Sequence, residues 1–156
     1  KTKESTSLEN SVISGITCSY NDSKITLRNV PDTPGIAAKI LSPISEAKID
    51  IDVIVQNVAS DKLTDFTFTV KTENADKAVD ILKKLTNDFG GGEIELVKDI
   101  SKVSVVGVGM RSHAGVASQM FNALAEKNIN IDMISTSEIK ISGLTASERA
   151  IPIRCL

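Results

Sequence analysis

Residues 24–58, KITLRNVPDTPGIAAKILSPISEAKIDIDVIVQNV, decide the fold because the chain contains them in a second version. Laid on Ser104–Glu138 at a constant offset of 80 they align without a gap. Gly35 falls on Gly115, Ala37 on Ala117, Glu46 on Glu126, Ile49 on Ile129, Ile51 on Ile131, Asp52 on Asp132 and Ile54 on Ile134. Such self-similarity marks one supersecondary unit used twice.

Each copy opens with a strand, KITLRNV or the more continuously apolar KVSVVGVGM, followed by a turn. Ile36, Ile40, Leu41 and Ile44 then recur at helical spacing, as do Val116, Met120, Phe121 and Leu124. Pro34 suits a helix start, and Asp32 and Ser112 are residue types that accept hydrogen bonds from free helix amides. Pro43 lies inside the first helix and predicts a kink or a tolerated distortion there. IDIDVIVQNV and TDFTFTV, separated by the polar turn Ser60–Lys62, read as a hairpin. Ala75–Asp88 forms a second amphipathic helix that Gly90-Gly91-Gly92 ends before the strand EIELV. The order strand, helix, strand, strand, helix, strand is that of a ferredoxin-like α+β sandwich.

The second copy runs through NINIDMIST and EIKISGL, then meets the short, proline-bearing TASERAIPIRCL with no final strand. VISGITCSY, residues 12–20, is a strand candidate with no partner of its own. The economical solution is that this N-terminal strand completes the second sheet. The expected domains are residues 21–100, and residues 12–20 together with 101–156.

With 156 residues the chain is long enough to bury a core without staples. A net charge of -2 with no long basic run argues against nucleic acid or an acidic membrane as partner. One Tyr, four Phe and no Trp leave little for a base-stacking platform. No apolar run approaches a bilayer span and nothing resembles a signal peptide, so a cytoplasmic protein is expected. Cys18 and Cys155 lie near opposite ends and form no ligand cluster with His113, so neither a metal site nor a disulfide is expected. The first residue is Lys1 rather than Met, which suggests a fragment of something longer.

The glycine turn in SVVGVGMRSHAGVASQMF, residues 104–121, invites comparison with nucleotide loops. Gly107 and Gly109 match a dinucleotide fingerprint, but Ser112 stands at the third glycine and no Gly-Lys-Ser/Thr follows. A strand-to-helix turn also offers backbone amides to a smaller anion such as a carboxylate. In PDTPGIAA, Asp32 either caps the helix or pairs with an ammonium group beside that carboxylate, and carboxylate plus ammonium describes an amino acid. His113, Gln56, Asn57, Arg111 and the pair Lys83-Lys84 read as loop, strand-end and solvated-surface residues, and no set of side chains supports catalysis.

VPDTPGIAAKI, IDVIVQN, TDFTFTV, VSVVGVGMRSHAGVA and IDMISTSEIKIS together resemble the regulatory C-terminal region of aspartate kinase, a tandem of ACT domains, over residues 12–142. The resemblance implies a non-catalytic module that senses threonine, lysine or both and needs no cofactor or metal. It implies a homodimer through side-by-side sheets, association with a catalytic aspartate kinase chain, and the same N-terminal strand exchange. It places an effector site at Asp32, Gly35, Ile36, Ala37 and Gln56, with Asn130 and Ile131 supplied by the second module of a partner. A related ligand or interface loop would use Ser112, His113, Ala114, Gly115, Val116, Ser137 and Glu138. The alternative is a structural subunit that supplies dimer contacts without usable ligand affinity. The tail GLTASERAIPIRCL departs from the family, which continues through a further strand and a full helix.

Overall fold

A computed structural model describes residues 13–58, 61–89, 92–107, 113–137 and 139–145. Its elements are β1 (Ile13–Pro31), α1 (Ile36–Glu46), β2 (Ile54–Val58), β3 (Leu63–Lys71), α2 (Thr72–Asp88), β4 (Glu93–Gly107), α3 (His113–Glu126), β5 (Met133–Thr136) and β6 (Lys140–Thr145). They fall into two compact units, one holding Asn21–Asp99 and the other the chain up to Tyr20 and from Ile100 onward.

In the first unit the strands lie in the order β2-β3-β1-β4. The Thr/Phe alternation of β3 explains its position. Thr64, Phe66, Phe68 and Val70 point to one face and are buried, and Phe68 stands opposite Ile25 on β1 and Ile54 on β2. Ile36, Ile40 and Ile44 of α1 and Ala75, Ala78 and Leu82 of α2 close over that face. Burial of the two phenylalanines, whose rings sit 6.2 Å apart and tilted, contributes roughly 1.5–3 kcal/mol each. The helix α1 continues through Pro43 despite the lost amide. It ends in a left-handed residue, Lys48, with Ile49 N donating to Ile44 O at 3.2 Å.

The second unit has the order β1-β4-β6-β5. Val103 faces Gly143, Val105 faces Ile141, and Ile134 on β5 also faces Gly143. Its core joins Val103, Val105, Met120, Leu124 and Ile141 with Phe121, Ile129, Ile131 and, from β1, Cys18. The contact at Cys18 is the strand exchange that the strand count requires. The helix α3 ends as α1 does, with Asn128 left-handed and Ile129 N donating to Leu124 O at 3.0 Å.

Several elements differ from their sequence reading. VISGITCSY and KITLRNV are parts of one strand, β1, and EIELV and KVSVVG are parts of one strand, β4, which runs on although the in-out alternation slips at Lys98–Ser101, where Asp99 has φ 56°. The first strand of each hairpin, β2 or β5, is shorter than read, while β3 extends one residue beyond TDFTFTV at each end. Residues 49–53 reach β3 by isolated bonds centred on Thr69: Asp52 N to Thr69 O at 3.2 Å, Thr69 N to Val53 O at 3.0 Å and Val53 N to the Thr69 hydroxyl at 3.0 Å. Asp132 N bonds Leu144 O at 2.8 Å in the matching place. The second helix starts at Thr72, directly after β3, and not at Ala75. TASERAIPIRCL and Cys155 lie outside the described residues, apart from Thr145 at the end of β6. No described helix is long and apolar enough to cross a membrane.

Candidate functional site

The turn from β1 into α1 is built by its backbone. Asp32 N donates to Lys62 O at 2.9 Å and ties the turn to the β2–β3 hairpin, while Thr33 N donates to Pro31 O at 3.1 Å. Gly35 then adopts φ 87° and ψ 0°, a left-handed conformation that strains any residue with a Cβ. A Cβ placed there would meet nothing within 4 Å, so glycine answers to the backbone and the space before the helix is open.

Ile36 N donates to Thr33 O at 3.1 Å, and the first helical bond is Lys39 N to Gly35 O at 3.0 Å. The amides of Ala37 and Ala38 therefore find no acceptor among the described residues, the usual situation in a first helical turn. No side chain caps α1, which corrects the capping role available to Asp32. The left-handed cap at Gly35 leaves Asp32 three residues upstream, and the Thr33 carbonyl takes the Ile36 amide instead. The exposed Asp32 carboxylate has no ion pair or hydrogen bond among the described residues.

Gln56 lies on the edge strand β2 opposite Phe66, hence on the helix-bearing face, and is exposed. The hydrogen bond between Asp32 and Lys62 brings the turn to the same end of the sheet as the close of β2. The Ile36 side chain is 4% exposed and belongs to the core, so only its backbone reaches the turn. Ala37 packs partly against the same core. Asn130 and Ile131 belong to the other unit. Asn130 is exposed, and Ile131 reaches into the second core, 3.2 Å from where a Cβ on Gly143 would stand.

The second glycine turn does not repeat the first. His113, aligned with Thr33, already opens α3, so Ala114, Gly115 and Val116 are helical and Gly115 is not a left-handed cap as Gly35 is. Val116 packs against the second core, and Ser137 N donates to Lys140 O at 2.7 Å across the β5–β6 turn. Ser112 and Glu138 lie outside the described residues. The turn-fixing Lys62 carbonyl escaped the sequence reading. Its signal in the sequence was the polar turn Ser60–Lys62, within which the structure shows Asp61 and Lys62 left-handed.

This two-module arrangement has clear counterparts. Models of the ACT domain match residues 25–87 and 103–151. The ligand-free regulatory subunit of aspartate kinase from Thermus thermophilus is 39% identical, with a TM-score of 0.82 over 89% of this chain and 91% of that one. The chain belongs to the ACT-domain regulatory region of the aspartate kinases. A structure of aspartokinase alpha and beta subunits is similar too, at 44% identity and a TM-score of 0.75 over 85% of this chain and 87% of that one. The aspartokinase of Pseudomonas aeruginosa is 57% identical over 139 residues, which are 89% of this chain and 34% of that kinase. The chain thus spans about a third of the length of the curated relatives it matches. As a member of the ACT-domain regulatory region it has a regulatory role directed to a small-molecule effector, and the kinases' catalytic part has no counterpart in these residues.

Proposed function

We propose that this ACT pair is the feedback sensor of an aspartate kinase and binds threonine, lysine or both. The observation that carries the reading is the open turn at Gly35. The effector's α-carboxylate lies on the amides of Ala37 and Ala38, and its ammonium pairs with Asp32. Gln56 adds an amide from the edge strand, and Asn130 and Ile131 come from the second module of a partner copy, in a homodimer formed by side-by-side sheets. The second turn, Ser112 to Val116 with Ser137 and Glu138, contacts the partner. The regulatory domains are residues 21–100 and residues 12–20 with 101–156, acting on a catalytic kinase chain. An effector that favours one arrangement of the modules inhibits that chain by its differential affinity for the two states.

Calorimetric titration with threonine and lysine separately tests the reading. Saturable heat is expected for at least one, and Asp32→Ala should weaken it about tenfold or more, the scale of a lost charged hydrogen bond. Unchanged affinity in Asp32→Ala would remove the site from this turn. A second reading, a structural subunit without usable affinity, draws on Ile54 and Ile134. These equivalent residues on the edge strands β2 and β5 are 49% and 52% exposed, an apolar edge suited to assembly. A stable dimer giving no heat with either amino acid would select it.

A further inference from the structure

Asp32 and Gln56, the first-module side chains proposed to hold the effector, stand on elements that do not adjoin. Gln56 is on β2, Asp32 follows β1, and β3 lies between those strands. Their spacing is therefore set where β3 begins, and contacts from Lys62, Thr64 and Asp65 reach to both sides. The Lys62 carbonyl takes the Asp32 amide at 2.9 Å, one step past the pairing of Pro31 with Leu63. The buried Thr64 hydroxyl donates to the carbonyl of Asn57, the neighbour of Gln56, at 2.6 Å. The Asp65 carboxylate accepts the Asn29 amide at 3.0 Å.

The last contact has its cause in the ladder. Leu27 pairs with Phe66 and Val30 with Thr64, so Arg28 and Asn29 together face Asp65, a β-bulge. A bulge takes an amide out of the ladder and bends the strand; here Asn29 has φ 59° and Asp65 supplies an acceptor from its side chain. The bulge lies three residues ahead of Asp32, so the direction in which β1 enters the turn depends on it. Asp65 also attracts Arg28, whose closer partner is Glu95. The second unit is built differently. Counted through the pairings of Ile54 with Phe68 and of Ile134 with Gly143, it has Lys140 and Ile139 at the places of Asp65 and Thr64, an ammonium that cannot accept an amide and a side chain without a hydroxyl.

We infer that Asp65 and Thr64 are positioning residues for the effector, holding the two arms of its site, the turn after β1 and the end of β2, in one fixed relation. Neither touches the ligand: Thr64 is fully buried, and Asp65, opposite Asn57, points to the face of the sheet away from Gln56. This rests on the reading of the chain as an amino-acid sensor. A site whose arms take the binding arrangement only about a tenth of the time binds about tenfold more weakly, though every group that meets the ligand is unchanged.

The test is calorimetric titration of the full chain with threonine and with lysine, the stability of each variant being read by urea denaturation. Asp65→Ala should weaken effector binding about five- to tenfold, whereas Asp65→Asn, which keeps a side-chain carbonyl for the Asn29 amide, should stay within about twofold of wild type. Thr64→Val should weaken it about threefold and Thr64→Ser should restore it. A merely structural role would lower the urea midpoint and leave the affinity of the folded chain as it was. That result in both Asp65→Ala and Thr64→Val, with effector heat persisting, would overturn the positioning role and leave the sensor reading intact. Equal losses in Asp65→Ala and Asp65→Asn would also overturn it, because the charge and not the hydrogen bond would then be at work. A wild-type chain that gives no heat with either amino acid overturns the sensor reading and the positioning role with it.

Discussion

The two modules share an ancestor pattern but fill the same place in their cores from opposite sides. In the first, Phe68 on β3 stands opposite Ile54; in the second, Gly143 on β6 stands opposite Ile134. The space a side chain at Gly143 would enter is taken by Ile131, Met120 and Phe121, the last aligned with Leu41 of the first helix. The aromatic ring has moved from strand to helix while the volume between them stays filled, which is what close packing demands. The glycine turns diverge in the same way. Gly35 caps its helix in a left-handed conformation, whereas Gly115 lies inside one.

The hardest test of that comparison is Phe68→Ala. Deleting a fully buried ring with no neighbour ready to replace it should cost about 3–5 kcal/mol in urea denaturation followed by circular dichroism. A loss under about 1 kcal/mol would mean that the first core collapses as the second is already packed. Next comes the pair of glycines. Gly35→Ala should cost about 1–2 kcal/mol for its left-handed backbone, whereas Gly115→Ala, at an exposed helical position, should be neutral or stabilise by up to about 0.5–1 kcal/mol. Equal losses would show that the turns are alike after all.

The helix ends sharpen the comparison further. Lys48 and Asn128 occupy the same left-handed position. Lys48→Gly should stabilise by about 1 kcal/mol and Asn128→Gly by only a few tenths, since asparagine tolerates that region. The smallest effect belongs to a pair found in the first module alone. Arg28 and Glu95 meet at 2.6 Å, both half exposed, and the guanidinium holds the Glu95 carboxyl below its ordinary value of 4.5. A depressed carboxylate contributes stability above its unfolded pKa and loses it as pH falls through the folded one. Arg28→Gln should therefore flatten the denaturation midpoint's dependence on pH below about 4.5, with little change at pH 7. An unaltered acid limb would show that the pair contributes nothing.

Much of this was legible in the residues. The offset of 80 exposed the modules, and the orphan strand VISGITCSY pointed to its place in the second sheet, where Cys18 now packs. The limits of that legibility have physical causes. A gapless alignment cannot see that β3 and β6 correspond at an offset of 75, because the intervening hairpin is five residues shorter, so Phe68 and Gly143 never came face to face in the sequence. Periodicity marks faces but not ends, so strands that continue through Asn21 and Asp99 looked like separate pieces. Asp32 carries a capping residue's chemistry, but Gly35 moved the helix start beyond its reach. The aligned glycines looked equivalent because identity does not reveal φ.

The long strand β1 has a consequence during synthesis. Its first part, through Tyr20, leaves the ribosome before any of its own sheet exists, and its partner β4 reaches Ile100 only some 80 residues later, an interval of several seconds at about 5–20 residues per second. Throughout that wait the chain carries an unpaired strand edge with Ile16 and Tyr20 on it, while the first module can already close. The nascent chain is thus open to mispairing with a neighbour along the strand that ends at Tyr20, and its yield should depend on how quickly the ribosome delivers the residues from Ile100 onward.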